Sequence, residues 1–220
     1  MSRFLGMISH VFCVFCILII GSCSVPEKTN SSGSQSNNEK IESLSCEGLT
    51  QEVAEQLFSG IETRESINKA INSCLVSAQK GDPNSQYNLS ILYITKNDGK
   101  ENQESLDWIL RAANKGHSEA QYHLGTMYEF GTVVKHNIKD QIYWFQKAAE
   151  GGIIAAQLKL GSHYIQESDY IKGLFWYEKA ASQGNREAMS FLIQIYSKGN
   201  PQFPPDKKKE EFWQKKYMRN

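Results

Sequence analysis

Four tryptophans recur in one frame. Trp108, Trp144 and Trp176 each stand eight residues ahead of a glycine, at Gly116, Gly152 and Gly184, and Trp213 is the fourth of the set. Between tryptophan and glycine the order is held: Arg111-Ala112-Ala113, Lys147-Ala148-Ala149, Lys179-Ala180-Ala181. Counting onward from Gly81, Gly116, Gly152 and Gly184, a small residue follows four later (Ser85, Ala120, Ala156, Ala188), a leucine eight later (Leu89, Leu124, Leu160, Leu192) and a tyrosine twelve later (Tyr93, Tyr128, Tyr164, Tyr196). A step of four along one face is helical. The glycine intervals are 35, 36 and 32 residues (116−81, 152−116, 184−152), a period at which self-similarity signals stacked units rather than one closed core. Each unit is expected to be two helices. The first carries the small–Leu–Tyr stripe; the second carries an aliphatic residue (Leu106, Ile142, Leu174), the tryptophan and the paired alanines, whose small size lets the two backbones approach. The tryptophans therefore read as packing positions rather than as a cofactor or sugar platform.

This order of residues resembles the Sel1-like repeat, a relative of the tetratricopeptide repeat. The second unit matches best, with Ala120, Leu124, Gly125, Tyr128, Gly131, Val133, Trp144, Phe145, Lys147, Ala148, Ala149 and Gly152 in place. Elsewhere Ser90 and Ile193 replace the glycine after the leucine, and the third unit is shorter, with Glu167 and Asp169 where a glycine loop would run. The resemblance implies an all-α, right-handed α-solenoid of stacked antiparallel helix pairs, with units at 81–115, 116–151, 152–183 and a capping 184–220. Residues 46–80 read as a degenerate first unit and N-terminal helical cap, and Asp82-Pro83 as the cap and first position of the helix that follows. Pro201, Pro204 and Pro205 precede a last, highly charged helix, as a terminal repeat requires for solubility.

Such solenoids hold partners on the surface lined by their first helices. By analogy with tetratricopeptide geometry, the lining is expected two before, two after and five after each leucine. That gives Tyr87, Ile91 and Ile94 in the first unit, Tyr122, Thr126 and Glu129 in the second, and Leu158, Ser162 and Ile165 in the third. Ser190, Gln194 and Ser197 follow in the fourth, so the surface would grade from apolar to polar. For Ile91 and Ile94 the alternative is packing within the fold.

The first 23 residues are of another kind. Arg3 leads into an apolar run, Val11 to Ile20, too short for a stable membrane span, and Ile20-Gly21-Ser22-Cys23 looks like a bacterial lipobox with Cys23 as the acylated residue. Ser24 in the next position points to the outer membrane, facing the periplasm. Residues 24–45 are rich in Ser, Asn and Gln and are expected to form a disordered tether. Of the five cysteines, Cys13 and Cys16 leave with the signal and Cys23 takes lipid, so Cys46 and Cys74 remain; in an oxidising compartment the pair suggests a disulfide, the alternative being two buried thiols.

Arg3 is the only charged residue of the signal, which leaves 23 basic against 24 acidic side chains, so no electrostatic footprint for nucleic acid follows. No metal-ligand, phosphate-cradle or nucleophile–base spacing stands out. Ser66-x-x-Lys69 and Ser77-x-x-Lys80 are of a kind common in polar helices, and His117, His123, His136 and His163 are scattered over two units and a loop. The expectation is a non-enzymatic, cofactor-free, lipid-anchored protein whose partner is another protein. The resemblance implies an adaptor in the cell envelope or, more narrowly, an immunity protein that neutralises a phospholipase-type effector acting in the periplasm.

Overall fold

A computed structural model describes residues 64–219 together with Cys46, Gly48, Thr50 and Val53. The signal segment, the expected acylation site Cys23 and the 24–45 tether lie outside the described residues. From residue 64 onward the chain forms α1 (Arg64–Gln79), α2 (Pro83–Lys96), α3 (Gln103–Asn114), α4 (Ser118–Phe130), α5 (Ile138–Glu150), α6 (Ile154–Gln166), α7 (Tyr170–Ser182), α8 (Arg186–Lys198) and α9 (Lys207–Tyr217). Each helix packs chiefly on its neighbours in sequence, which defines a solenoid. Among the described residues the only extended pairing is an isolated bridge between Asn200 and Phe203. The fold is an all-α stack of antiparallel pairs: α2–α3, α4–α5, α6–α7 and α8–α9, with α1 packed against α2.

The tryptophan-to-glycine spacing is the register of one turn, made three times after a tryptophan and once more at Gly81, eight residues after Ser73. At the end of α3, Gly116 donates its N–H to the Ala113 carbonyl (3.0 Å) and His117 to Ala112 (3.1 Å); at the end of α5, Gly152 donates to Ala149 and Ile153 to Ala148. Gly184 and Asn185 repeat the pair on Ala181 and Ala180, and Gly81 and Asp82 make it on Ala78 and Ser77 at the end of α1. These two bonds satisfy helix-end carbonyls that would otherwise be orphaned, and they require a left-handed residue between them. The four glycines have φ between 90° and 97°, a region that costs an L side chain about 1–2 kcal/mol. The residue after each glycine then starts the next helix: Asp82, His117 and Asn185 accept from the backbone N–H three residues on, while Ile153 makes no side-chain cap. One three-residue turn thus closes one helix and opens another.

A second device locks this turn and was not foreseen. Five residues after the first three glycines lies a buried glutamine, and its side-chain amide donates to the carbonyl of the second alanine of the preceding unit: Gln86 to Ala78 (2.9 Å), Gln121 to Ala113 (3.0 Å) and Gln157 to Ala149 (3.1 Å). In the fourth unit this position is the buried Met189.

Within each pair, small and large residues interlock. A Cβ built on Gly125 would lie 2.5 Å from the Phe145 ring, and one on Gly161 would lie 2.8 Å from the Tyr177 ring. In the first pair the same two positions are Ser90 and Ile109, both fully buried. Unit one thus uses a larger residue on one side and a smaller one on the other. In the first two pairs the deep position is the residue after the tryptophan, Ile109 or Phe145, whereas in the last two it is the tryptophan itself. Trp176 and Trp213 are buried, but Trp108 and Trp144 are only half-buried, so the four packing positions differ in depth. Arg111 covers the half-buried Trp108 ring at 4.5 Å.

Cys46 and Cys74 form a disulfide with Cα atoms 4.7 Å apart, tying the segment ahead of α1 to its buried face. The short α6–α7 connection turns through Ser168, at φ +62°, into Asp169, which caps α7 by accepting from the Lys172 N–H.

Candidate functional site

The first helices α2, α4, α6 and α8 carry the positions expected to line a partner surface. The row divides by burial. Ile91 and Ile94 are 4% and 5% exposed, so they belong to the interior and are not available to a partner. The reason is energetic: burying an isoleucine is worth about 1.5–3 kcal/mol, and α2 is packed between α1 and α3. Tyr87 is partly buried with its ring 4.7 Å from that of His117 and 6.3 Å from that of His123, and burial pushes its phenol well above the usual range. The first unit thus contributes little open surface.

The second and third units are different. Tyr122, Thr126, Glu129, Leu158, Ser162 and Ile165 are all half-buried. Tyr122 lies against Phe145, ring centres 5.6 Å apart, and burial followed by the Glu129 charge raises its pKa. Lys159 on α6 donates to both carboxylate oxygens of Glu129 on α4, at 2.7 and 2.9 Å, and so bridges adjacent first helices. Leu158 packs toward the α8 cluster around Met189 and Leu192, and the end of the Ile165 side chain fills the space in front of Gly173 on α7. In the fourth unit Ser190, Gln194 and Ser197 are exposed. Accessibility along the row therefore rises from α2 to α8 as the side chains become more polar. The accessible stretch is the polar one, contrary to an apolar entrance at Tyr87, Ile91 and Ile94.

Beside this row lies a polar cluster that sequence reasoning dispersed. Glu101, in the α2–α3 connection, accepts from His123 on α4 at 2.7 Å and from Thr132 in the α4–α5 loop. Burial alone would raise the Glu101 pKa, but the hydrogen bonds from His123 and Thr132 and the His123 charge outweigh it and hold it low. His117 caps α4, its Nδ1 accepting from the Ala120 N–H at 3.2 Å, and burial lowers its pKa. Of the four histidines that the sequence scatters over two units and a loop, His117 and His123 join units one and two. Among the described residues no three His, Cys, Asp or Glu side chains converge as a metal site, and no helix is long and apolar enough to cross a membrane.

The stacked pairs, the three-residue glycine turns and a partly exposed first-helix row define a helical-repeat solenoid of the kind that presents a face to other proteins. Sel1 repeats match residues 83–117, 118–153 and 154–185, so the three helix pairs from α2 to α7 are Sel1-like repeats. The α8–α9 pair lies beyond that match and joins the stack through the Gly184 turn and the buried Trp213. Among solved structures the chain is similar to a Sel1 repeat protein from Oxalobacter formigenes, at 28% identity and a TM-score of 0.59 over 79% of this chain and 73% of that one. It is also similar to c5321, a protective antigen present in uropathogenic Escherichia coli strains displaying an SLR fold, at 27% identity and a TM-score of 0.55 over 79% and 38% of the two chains. DAP3-binding cell death enhancer 1 of Rattus norvegicus is 30% identical over 100 residues, 46% of this chain and 19% of that protein. The chain spans less than a fifth of such curated relatives.

Proposed function

We propose that this protein is a non-enzymatic interaction scaffold that holds a protein partner on the first-helix row of units two to four, tethered through lipid on Cys23 to the outer membrane and facing the periplasm. The observation that carries the reading is the half-open row on α4 and α6, where Tyr122, Thr126, Leu158 and Ser162 leave mixed apolar and hydroxyl surface beside the Glu129–Lys159 bridge. Mixed, partly exposed surface with a tyrosine at its centre suits protein recognition better than small-molecule chemistry. The narrower reading of the same surface is an immunity protein whose partner is a toxic effector of the phospholipase type.

The test is capture of envelope proteins by the intact chain beside a Thr126→Arg, Ser162→Arg variant. Both sites are half-buried and lie outside the deep core, so the variant should melt with the wild type while losing its partner. Retention of the same partner by a folded variant refutes the placement. The captured protein also decides between adaptor and immunity roles: protection from a co-expressed effector, lost in the variant, supports the second. The anchor is tested separately. Palmitate labelling is expected in the wild type and absent in Cys23→Ala.

A further inference from the structure

The second helices present a face that the packing of the fold does not explain. The residue before each tryptophan is Asp107, Tyr143, Phe175 or Phe212, and the three aromatic rings are 52%, 50% and 52% exposed. Unit one places a charged, exposed aspartate at this position, so the repeat itself has no need of an aromatic there. Each ring stands edge-on to its neighbouring tryptophan, centroids 5.0 Å apart, and each is covered by the lysine four residues on: Lys147 over Tyr143, Lys179 over Phe175, Lys216 over Phe212, at 5.1 to 5.9 Å. Ile138 and Ile171 add exposed aliphatic surface on α5 and α7.

Charge is segregated to the same end of the chain. Residues 1–137 hold 11 basic against 15 acidic side chains and residues 138–220 hold 13 against nine, although the whole is neutral. Helices α5, α7 and α9 contain nine lysines and no arginine. Three of the lysines, at 207–209, occupy the first turn of α9, where the helix dipole already favours anions. They border an open groove of about 730 Å³ whose apolar wall includes Ile171, Phe175 and Phe203. Glu178, also in the groove, is already engaged by the Tyr196 hydroxyl and Lys209.

We propose that the solvent face of α5, α7 and α9 docks on an anionic lipid bilayer. Lysine without arginine favours lipid over protein: protein interfaces are depleted in lysine and enriched in arginine, whereas clustered lysines are drawn to anionic headgroups. Exposed Phe, Tyr and Ile beside lysines with flexible stems can enter the headgroup boundary while the ammonium groups remain at the phosphates. This is a different face from the first-helix row, so a partner bound there and a bilayer bound here are independent.

The full chain carrying Cys23→Ser, which cannot be acylated, is sedimented with vesicles of phosphatidylcholine alone or mixed equally with phosphatidylglycerol. Binding is expected to the mixed vesicles and to fall as salt rises. The variant Phe175→Ser, Lys179→Gln, Phe212→Ser, Lys216→Gln should partition at least tenfold less and melt close to the wild type, because Phe175, Lys179 and Phe212 are exposed and Lys216 is partly so. Since the N-terminal apolar run is present in both chains, an environment-sensitive fluorescent residue at the exposed Gln146 of α5 gives a second reading, with a blue shift expected on the mixed vesicles. Equal partition of the two chains, an unshifted probe, or loss of a captured protein partner in the variant without any vesicle binding overturns the proposal.

Discussion

Gly125→Ser tests whether the helix pairs are held by size complementarity across the Leu-Gly step. The new Cβ falls 2.5, 2.7 and 3.2 Å from three atoms of the Phe145 ring. That ring is 1% exposed and clusters with Ala148, Ala156, Leu160 and Trp176, so it has nowhere to retreat. Overpacking of this kind costs about 1–3 kcal/mol. Replacing a mid-helix glycine by serine returns about 0.5 kcal/mol of backbone propensity. The single variant is therefore expected to lose about 0.5–2.5 kcal/mol. Phe145→Ile alone loses buried ring volume and is destabilising by about 1–3 kcal/mol. Together the two changes install the Ser90–Ile109 pair of unit one, in which Ser90 hydrogen-bonds the Tyr87 carbonyl at 2.6 Å. The double variant should be more stable than the sum of the singles implies by about 1 kcal/mol or more, as expected for residues in contact. Urea unfolding followed by far-ultraviolet circular dichroism measures all four corners. Gly125→Ser as stable as the wild type, or strict additivity in the cycle, refutes the reasoning.

Other outcomes follow from named contacts. Ile91→Ala should cost about 2–4 kcal/mol because the residue is buried; a change within about 0.5 kcal/mol would mean that Ile91 faces solvent after all. The folded-state pKa of His117 is lowered from 6.5 by burial, so the unfolded chain binds the proton first, and stability should fall as pH drops below about 6.5 toward the folded value. His117→Asn keeps a cap of the kind Asn185 supplies to α8 and should remove that part of the pH dependence, read as urea midpoints at pH 7 and 5.5; an unchanged slope contradicts it. As pH falls below about 4.5 toward its lowered folded value, Glu101 adds a further loss, because its depressed pKa makes it a stabilising group only while ionised. Reduction of Cys46–Cys74, which closes 28 residues, should lower stability by about 3–4 kcal/mol on the chain-entropy account; an identical melt with and without reductant contradicts it.

The translational part of the fold was legible because it repeats. Glycine, paired alanine and leucine recur at fixed spacings, and each has one local reason: a left-handed turn, a close backbone contact, a fully buried side chain. The glutamine lock on those turns was equally periodic at Gln86, Gln121 and Gln157 but escaped notice, since a polar residue beside an apolar stripe reads as surface until its acceptor on another helix is known. The tryptophans were read as packing positions on recurrence alone; recurrence fixes equivalence between units but not depth, since Trp176 and Trp213 are buried while Trp108 and Trp144 are half-buried. Burial of Ile91 and Ile94 was left undecided by the sequence for a related reason, because a stripe on one helix does not reveal what the neighbouring helices cover. Glu101 and His123, 22 residues apart, meet only through the stacking of units one and two.

The central claim is that the scaffold's partner lies on the first-helix row of units two to four. Photo-crosslinking in intact cells tests it most directly, with a photoreactive residue placed in turn at Thr126, Ser162 and Ser182. Thr126 and Ser162 should each yield the same discrete protein adduct while Ser182, at the end of a second helix, should not. An adduct formed from Ser182 alone, or no protein adduct from Thr126 and Ser162 in the folded chain, contradicts the account.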